Sequence, residues 1–434
     1  MNKQAEYLTL INEKYTSKQE NHALALVKAI LKKIVQLAFT IVIMLVLTLP
    51  LALILLLRKL FLGKPMFETM TIIGHNSIKL TLKLYNLQGW IFKHSALGFK
   101  LIKGEIHFVG NSFLSEKDVK TDDFEIITKF GYPGIFNLWF IRESTKIAHE
   151  GLLATEIEYL ATKSFKKDLS IILKTFPALV YRSDNIAFPV ELTIFDLDFI
   201  NTTMKKAIEI IDKTIKSKNK NKFFFVNPDC MNKLYKDKEY FAIMQRADYI
   251  FPDGIGISIA CNILKTPLLE NVNGTDMLPY LCELSEKREY KIFLFGAKPG
   301  IAEKMKMSLE EKYPNLKIVG TQSGYFDWDK DTSPIIDKIN ASEADILLVA
   351  FGVPLQEKWI DENFERLNPQ VQMGVGGLFD FYSGDMKRAP KWMREIGMEW
   401  LFRLLMEPKR MWKRYVIGNP LFLYRVYKWK RKSR

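Results

Sequence analysis

Two stretches decide the fold: FFFVNPDC, residues 223–230, and ADYIFPDGIGIS, residues 247–258. In each, an aromatic or β-branched run stops at polar residues, Asn227-Pro228-Asp229 in the first and Pro252-Asp253-Gly254 in the second. A strand buried on both faces gives way to a loop in this manner. Open α/β sheets gather their chemistry where such strands end. Asp253 stands between a proline and a glycine, a turn that exposes its carboxylate while the N–H groups of the following segment point the same way. It is the first candidate for a catalytic group.

Working outward, short apolar runs at 291–295, 317–319, 346–350 and 371–375 alternate with amphipathic helical segments. That order predicts an α/β, Rossmann-like domain whose parallel sheet is covered on both faces. Upstream, 190–195 alternates as a strand, and 202–215 repeats apolar residues at helical spacing before the lysine-rich stretch 216–222. That stretch reads as a solvated loop, with a binding patch as the alternative. The domain is bounded at 188–386.

Further polar punctuation follows the later strands. Asn273-Gly274-Thr275-Asp276 opens a helix through Leu281, either as a plain N-cap or as a helix N-terminus facing an anion. Gly296, after the run 291–295, begins a turn where backbone can approach a nucleotide. Gln356 and Glu357, in the stretch after Gly352, place an amide and a carboxylate at a helix start, suited to a base edge or sugar hydroxyls. Gly374-Val375-Gly376-Gly377 lets a ligand touch backbone. None of these is a Walker loop or a full G-x-G-x-x-G.

The chain has 434 residues, 48% of them hydrophobic, enough for more than one core and for two or three domains. Cys230, Cys261 and Cys282 show no metal-ligand spacing and read as buried free thiols in a reducing compartment. The histidines show no ligand pairing, so no metal is assigned. A net charge of +14 calls for a polyanionic partner: nucleic acid, an anionic membrane or a phosphorylated substrate.

A polar segment, 1–33, precedes an almost unbroken apolar run, 34–57, of membrane-spanning length within a membrane-inserted region 34–64. Lys32, Lys33, Arg58, Lys59 and Lys64 flank both ends, so positive charge chooses no orientation. A helix broken at Pro50 that dips into one leaflet and returns fits the pattern, and a straight span is the alternative. With a membrane already provided for, nucleic acid is not the polyanion expected.

Residues 65–182 carry a first resemblance. KGEIHFVG at 103–110, YPGIFNLW at 132–139, Glu158-Tyr159, SFKKDL at 164–169 and Lys174-Thr175, after a proline-broken apolar run, resemble the bacterial sugar transferases, the polyprenyl-phosphate phosphoglycosyl transferases. That family attacks with the Asp of an Asp-Glu pair after a Lys-Phe-Arg-Ser/Thr-Met-like stretch. Lys83-Leu84-Tyr85-Asn86-Leu87 stands there instead, and no carboxylate occurs between Glu68 and Glu105. Gly110-Asn111-Ser112-Phe113 replaces the family's Gly-Pro-Arg-Pro turn and its arginine. Without nucleophile or Mg²⁺ ligand, this domain reads as a catalytically dead copy kept as a membrane platform or docking surface.

From residue 190 to the C-terminus the resemblance is to the WecG/TagA/CpsF glycosyltransferases. It is carried by Asn227, FPDGIG at 251–256, NGTD at 273–276, Gly296, YPNLKIVG at 313–320, GYF at 324–326, GVPLQEKW at 352–359, GVGG at 374–377, Phe379-Asp380 and Gly384. It implies metal-independent, inverting transfer of an N-acetylmannosamine-type sugar from a UDP donor to a polyprenyl-diphosphate-linked sugar. The place implied is the cytoplasmic face of the bacterial inner membrane, with a tendency toward self-association. Asp253 falls to the general base, and Asn227, Asn273, Gly274, Thr275, Asp276, Gly296, Gln356, Glu357 and Gly376 to donor and acceptor binding.

Departure of UDP needs positive charge on its diphosphate. The basic appendage 387–434 carries Arg388, Arg394, Arg403, Arg410 and Arg414, of which Arg403, Arg410 and Arg414 are the expected phosphate clamp. No cofactor is expected; Asp327-Trp328-Asp329 has metal-motif spacing but follows a polar turn and reads as surface. Trp392, Trp400, Trp412 and Trp429 among cations also suit an interfacial segment on an anionic membrane. One departure matters: where the family carries a threonine, this chain has Phe225. A non-catalytic scaffold that recruits an initiating phosphoglycosyl transferase therefore remains the second function class.

Overall fold

The computed structural model describes residues 3–16, 48–62, 65–87, 90–115, 122–146, 149, 151–182, 189–327 and 332–432. The chain divides into two compact units, Met1–Ser144 with His149–Val180, and Thr145–Ala148 with Tyr181–Arg434.

The first unit is α/β with small sheets. Phe67–Ile73 pairs antiparallel with Lys79–Tyr85, and His107–Val109 pairs parallel with Gly134–Phe136. Ile72, Leu82, Leu84, Trp90, Leu97 and Ile106 form one of its cores. A buried ion pair ties two of its helices: Arg142 donates to both Glu158 oxygens at 2.9 and 2.8 Å. Of the expected membrane-inserted stretch, residues 34–47, 63 and 64 lie outside the described residues. The described part is a helix, Leu49–Leu62, with Pro50 in its first turn, where proline's missing N–H is tolerated. Leu53, Ile54 and Leu60 on that helix are exposed. Among the described residues no helix is long and apolar enough to cross a membrane.

The second unit begins with a hairpin, β1 (Glu191–Ile194) and β2 (Leu197–Ile200). A strand continuing to Phe195 was the expectation from alternation; instead Phe195 and Asp196 turn the chain at φ 55° and 61°. The usual Asn-Gly signal of such a turn is absent, which hid the second strand. Helix α1 (Met204–Lys216) is capped by Thr203, whose side chain accepts from Lys206 N–H. Beyond it, part of the lysine-rich stretch is structural rather than solvated: Lys222 is buried in β3 (Asn221–Val226), with its ammonium 2.9 Å from Asp361.

Five more strands join β3 in one all-parallel sheet: β4 (Tyr249–Pro252), β5 (Lys291–Gly296), β6 (Lys317–Gln322), β7 (Ile346–Ala350) and β8 (Val371–Gly374). Their spatial order is β6-β5-β7-β8-β3-β4. From β5 the chain moves outward to β6, and from β7 it moves the opposite way to β8. A crevice therefore opens at the carboxyl ends of the central strands. β6 runs past the expected 317–319 because a register shift between Ile318 and Gly320 breaks its alternation.

Alternation sorts the strand side chains onto two faces. Phe224, Val226, Phe293, Phe295, Leu347 and Val349 pack on one, Phe223, Phe225, Ile292, Leu294, Ile346 and Leu348 on the other. Each fully buried phenylalanine contributes roughly 1.5–3 kcal/mol of transfer free energy. Helices cover both layers, and Phe422 and Val426 of the last helix join the first. This helix fixes the C-terminal segment to the sheet.

Gly296 ends β5 where backbones crowd: its φ is 138°, and a Cβ there would stand 2.5 Å from the Ala350 carbonyl oxygen. Gly296→Ala is expected to lower unfolding stability by about 3 kcal/mol through strain and overpacking. Gly300→Ala, at φ 85° with open space around its Cβ, should cost only about 1 kcal/mol. Equal denaturation midpoints for the two variants would contradict the crowding.

Candidate active site

Loops at the carboxyl ends of β3, β4, β7 and β8 enclose, with the C-terminal segment, a cavity of about 610 Å³. Asn227 ends β3 and caps α2 (Pro228–Leu234): its Oδ1 accepts from the N–H groups of Asp229 and Cys230, both at 3.1 Å. Those bonds aim the amide nitrogen at the neighbouring strand end, where Asn227 Nδ2 donates to Asp253 Oδ2 at 3.4 Å. The turn carrying Asp253 is pinned twice. Its own N–H donates to Val226 O at 2.8 Å, and the Gly254 N–H donates to Asn271 Oδ1 at 2.6 Å. Gly254 there has φ 91°, a conformation suited to glycine.

Burial pushes the Asp253 carboxyl above its ordinary value; the Asn227 amide and the charges of Arg414 and Arg403 pull it back down. A half-buried carboxylate with a raised proton affinity, open to a cavity, is equipped to accept a proton. Arg414 also lies 3.9 Å from Asp229, and the Arg403 guanidinium sits over the Phe381 ring at 5.1 Å. Arg410 is more exposed and pairs with Glu407 at 2.8 Å. The three arginines come from α3 (Glu399–Met406), α4 (Pro408–Trp412) and the π-helical turn Lys413–Gly418, all preceding the last helix, Asn419–Lys432.

The cavity brings together Asp253, Asn227, Asn273, Gly274, Thr275, Gln356, Gly376, Arg403, Arg410 and Arg414. Three other expected site residues lie outside its lining. Gly296 serves the close approach of β5 and β7. Asp276 belongs to a bridge to the appendage: Arg388 Nη2 lies 2.5 Å from its Oδ1 and Arg394 Nη1 at 3.7 Å. Asn273 caps the same helix, accepting from Asp276 N–H at 2.8 Å and donating to Asp276 Oδ2 at 2.7 Å.

Glu357 is the third, fully buried beneath the cavity. It accepts from Gln356 Nε2 at 2.8 Å, while Gln356 Oε1 accepts from Gly352 N–H at 3.2 Å and Gly376 N–H at 2.8 Å. A Cβ on Gly374 would stand 2.9 Å from Gln356 Nε2, so glycine makes room for the amide. Gln356 thus joins the loops after β7 and β8.

Sequence reasoning missed several lining residues: Lys233, Lys236, Lys413, Arg425 and Phe381. Spacing offered a signal, since Lys233 in α2 and Lys236 in the turn just beyond it stand three residues apart after the Asn227 cap. Phe225, noted for replacing a threonine, lines the cavity with its ring against Gly274. Among the described residues no group of three His, Cys, Asp or Glu side chains is placed to hold a metal ion.

Burial pushes the Glu357 carboxyl from 4.5 up to about 7. A carboxyl with a raised folded-state value stabilises the fold fully below its unfolded value and loses that contribution as pH rises through the folded one. Thermal unfolding should therefore fall in midpoint between about pH 4.5 and 7. In Glu357→Gln, which keeps an acceptor for Gln356, this part of the pH dependence should vanish. An identical Tm–pH curve for both proteins would contradict it.

Residues 192–434 match the family model of the glycosyl transferase WecG/TagA/CpsF family. The chain is 33% identical over 238 residues to the N-acetylglucosaminyldiphosphoundecaprenol N-acetyl-beta-D-mannosaminyltransferase of Bacillus subtilis (strain 168), covering 54% of this chain and 91% of that protein. It is 32% identical over 244 residues to the protein of the same description from Staphylococcus aureus (strain MW2), covering 56% and 94%. A parallel sheet whose strand ends gather an aspartate, an asparagine and an arginine-bearing C-terminal segment is thus joined to a family match over more than half of the sequence, and the chain belongs to the WecG/TagA/CpsF family of glycosyltransferases.

Proposed function

We propose that the protein transfers an N-acetylmannosamine-type sugar from UDP to N-acetylglucosamine carried on a polyprenyl diphosphate, with inversion at the anomeric carbon and without a metal ion. The observation that carries this reading is Asp253, held by Asn227 at the end of β4 in a cavity with Arg403 and Arg414. Asp253 takes the proton from the acceptor hydroxyl as that oxygen bonds to the anomeric carbon of the donor. The bond from that carbon to the UDP oxygen breaks, and its electron pair leaves with the diphosphate. Arg403, Arg410 and Arg414 offset the growing negative charge, the part a metal would otherwise play. The products are the extended lipid-linked glycan and UDP, and Asp253 returns its proton to solvent.

The first unit is read as the silent copy of a phosphoglycosyl transferase, serving as a membrane platform. Its buried carboxylates support this, because each has at least one oxygen bonded within the unit. Glu158 pairs with Arg142, Asp168 accepts from Tyr159 at 2.9 Å, and Glu156 accepts from Asn111 at 2.7 Å. Exposed apolar residues among cations in the C-terminal segment, Leu405, Met406, Trp412 and Tyr424, support work at the anionic cytoplasmic face of the bacterial inner membrane.

Two tests follow from the base and the clamp. With EDTA present, radiolabelled sugar from UDP-N-acetylmannosamine should appear on a polyprenyl-diphosphate-linked N-acetylglucosamine, and Asp253→Asn should lower the rate by about 10²–10⁴-fold. Absence of transfer from every UDP-sugar tried would overturn the enzyme reading and favour the scaffold. The second test uses pH. Because Asp253 acts deprotonated and burial raises its proton affinity, the acidic limb of kcat/KM should lie above the ordinary value of an aspartate. Arg414 lowers that affinity, so Arg414→Ala should move the limb to still higher pH while reducing kcat. An unmoved limb would remove Asp253 from the proton transfer.

A further inference from the structure

The proposed reaction brings two diphosphates into one cavity, that of UDP and that of the lipid acceptor. The lining carries seven cationic side chains, Lys233, Lys236, Arg403, Arg410, Lys413, Arg414 and Arg425, against the carboxylates Asp229 and Asp253. Arg403 and Arg414 act on Asp253 itself, which places their charge beside the reacting centre. Of the others, Lys236, Lys413 and Arg425 come from the turn after α2, from the π-helical turn that also carries Arg414, and from the last helix.

Asn232 ties these elements together. Its Nδ2 donates to Gly418 O at 2.7 Å, tying α2 to the π-helical turn, and its Oδ1 accepts from Arg425 Nη1 at 2.8 Å, tying α2 to the last helix. The Arg425 guanidinium also sits over the Tyr235 ring at 4.5 Å. From these joined elements Lys236 and Lys413, both exposed, line the cavity. Ile417 and Leu421 line it beside them and remain 52% and 37% exposed, apolar surface left uncovered where the cations are. Cations next to open apolar side chains match an amphiphile with an anionic head, and a UDP-sugar has no apolar part for Ile417 and Leu421.

We propose that Lys236, Lys413 and Arg425 form a second diphosphate subsite, reserved for the acceptor, and that its lipid chain leaves over Ile417 and Leu421. This rests on the transferase reading above. Two diphosphates held by separate cation sets can lie near each other without sharing counter-charge, and the donor set is free to strengthen its hold as UDP departs.

The experiment uses the full chain and N-acetylglucosamine diphosphate esterified to farnesol, compared with the same head group on a methyl chain. In the Lys236→Ala/Lys413→Ala double variant the acceptor KM should rise about tenfold or more, while the KM for the UDP-sugar changes less than about twofold. Ile417→Ser should shrink the preference for farnesyl over methyl acceptor. Direct binding of the farnesyl probe, by calorimetry, separates the two readings. Loss of binding in the double variant with no transfer by wild type would keep the subsite and overturn the transferase. Transfer by wild type with equal changes in both KM values, or none, would overturn the subsite and keep the transferase. Lys236→Arg/Lys413→Arg, which keeps both charges, should restore acceptor binding; failure to do so would count against a charge-based subsite.

Discussion

One side chain amide holds the cavity together. Gln356 accepts the N–H groups of Gly352 and Gly376 through one oxygen and hands its own N–H to Glu357. The loops after two neighbouring strands are thereby fixed against each other, at positions where Gly352 and Gly376 adopt φ 81° and 58°. Such loops would otherwise be free to move, and the binding wall would lack a defined shape. Glu357 supplies the acceptor for that amide from a fully buried position, and that burial raises its proton affinity. The amide lines the cavity and the carboxylate lies buried next to it, and together they fix the loops that form the wall.

The second constraint is charge. An aspartate that must take a proton is served by burial, whereas a diphosphate leaving group is served by nearby arginines, and the two demands oppose each other. In the proposed reaction both are met from separate sources. Asp253 belongs to the sheet and is raised by burial, while Arg403, Arg410 and Arg414 belong to a segment whose last helix is anchored through Phe422 and Val426. The Asp276–Arg388 bridge fastens the same segment at its start. In the proposed reaction, substrate charge and general base therefore meet because the C-terminal chain folds back onto the sheet ends.

Much of this was legible in the sequence, for identifiable reasons. Buried parallel strands read as apolar runs, so β3, β4, β5, β7 and β8 could be placed within a residue or two, and the polar residues that stop them mark the cavity. Asn227 and Asp253 were found in that way, Asn273 from its place at a helix start, and the three arginines from the basic appendage and the resemblance it carries. The remainder depended on partners distant in sequence. Nothing near Asp276 announces that Arg388 will neutralise it, and nothing near Glu357 announces burial, because both facts arise from packing. The hairpin turn at Phe195-Asp196 breaks the usual turn chemistry, and the bulge in β6 breaks alternation. Lys236 and Lys413 were lost among many surface lysines until the fold placed them on one wall.

The most direct measurement is an experimental structure of the protein with UDP bound. The account predicts a diphosphate within hydrogen-bonding distance of Arg403 and Arg414, its sugar-bearing end facing Asp253, and Lys236 and Lys413 left unengaged by UDP. A diphosphate seated away from Asp253, with those two arginines still turned to protein partners, would contradict it.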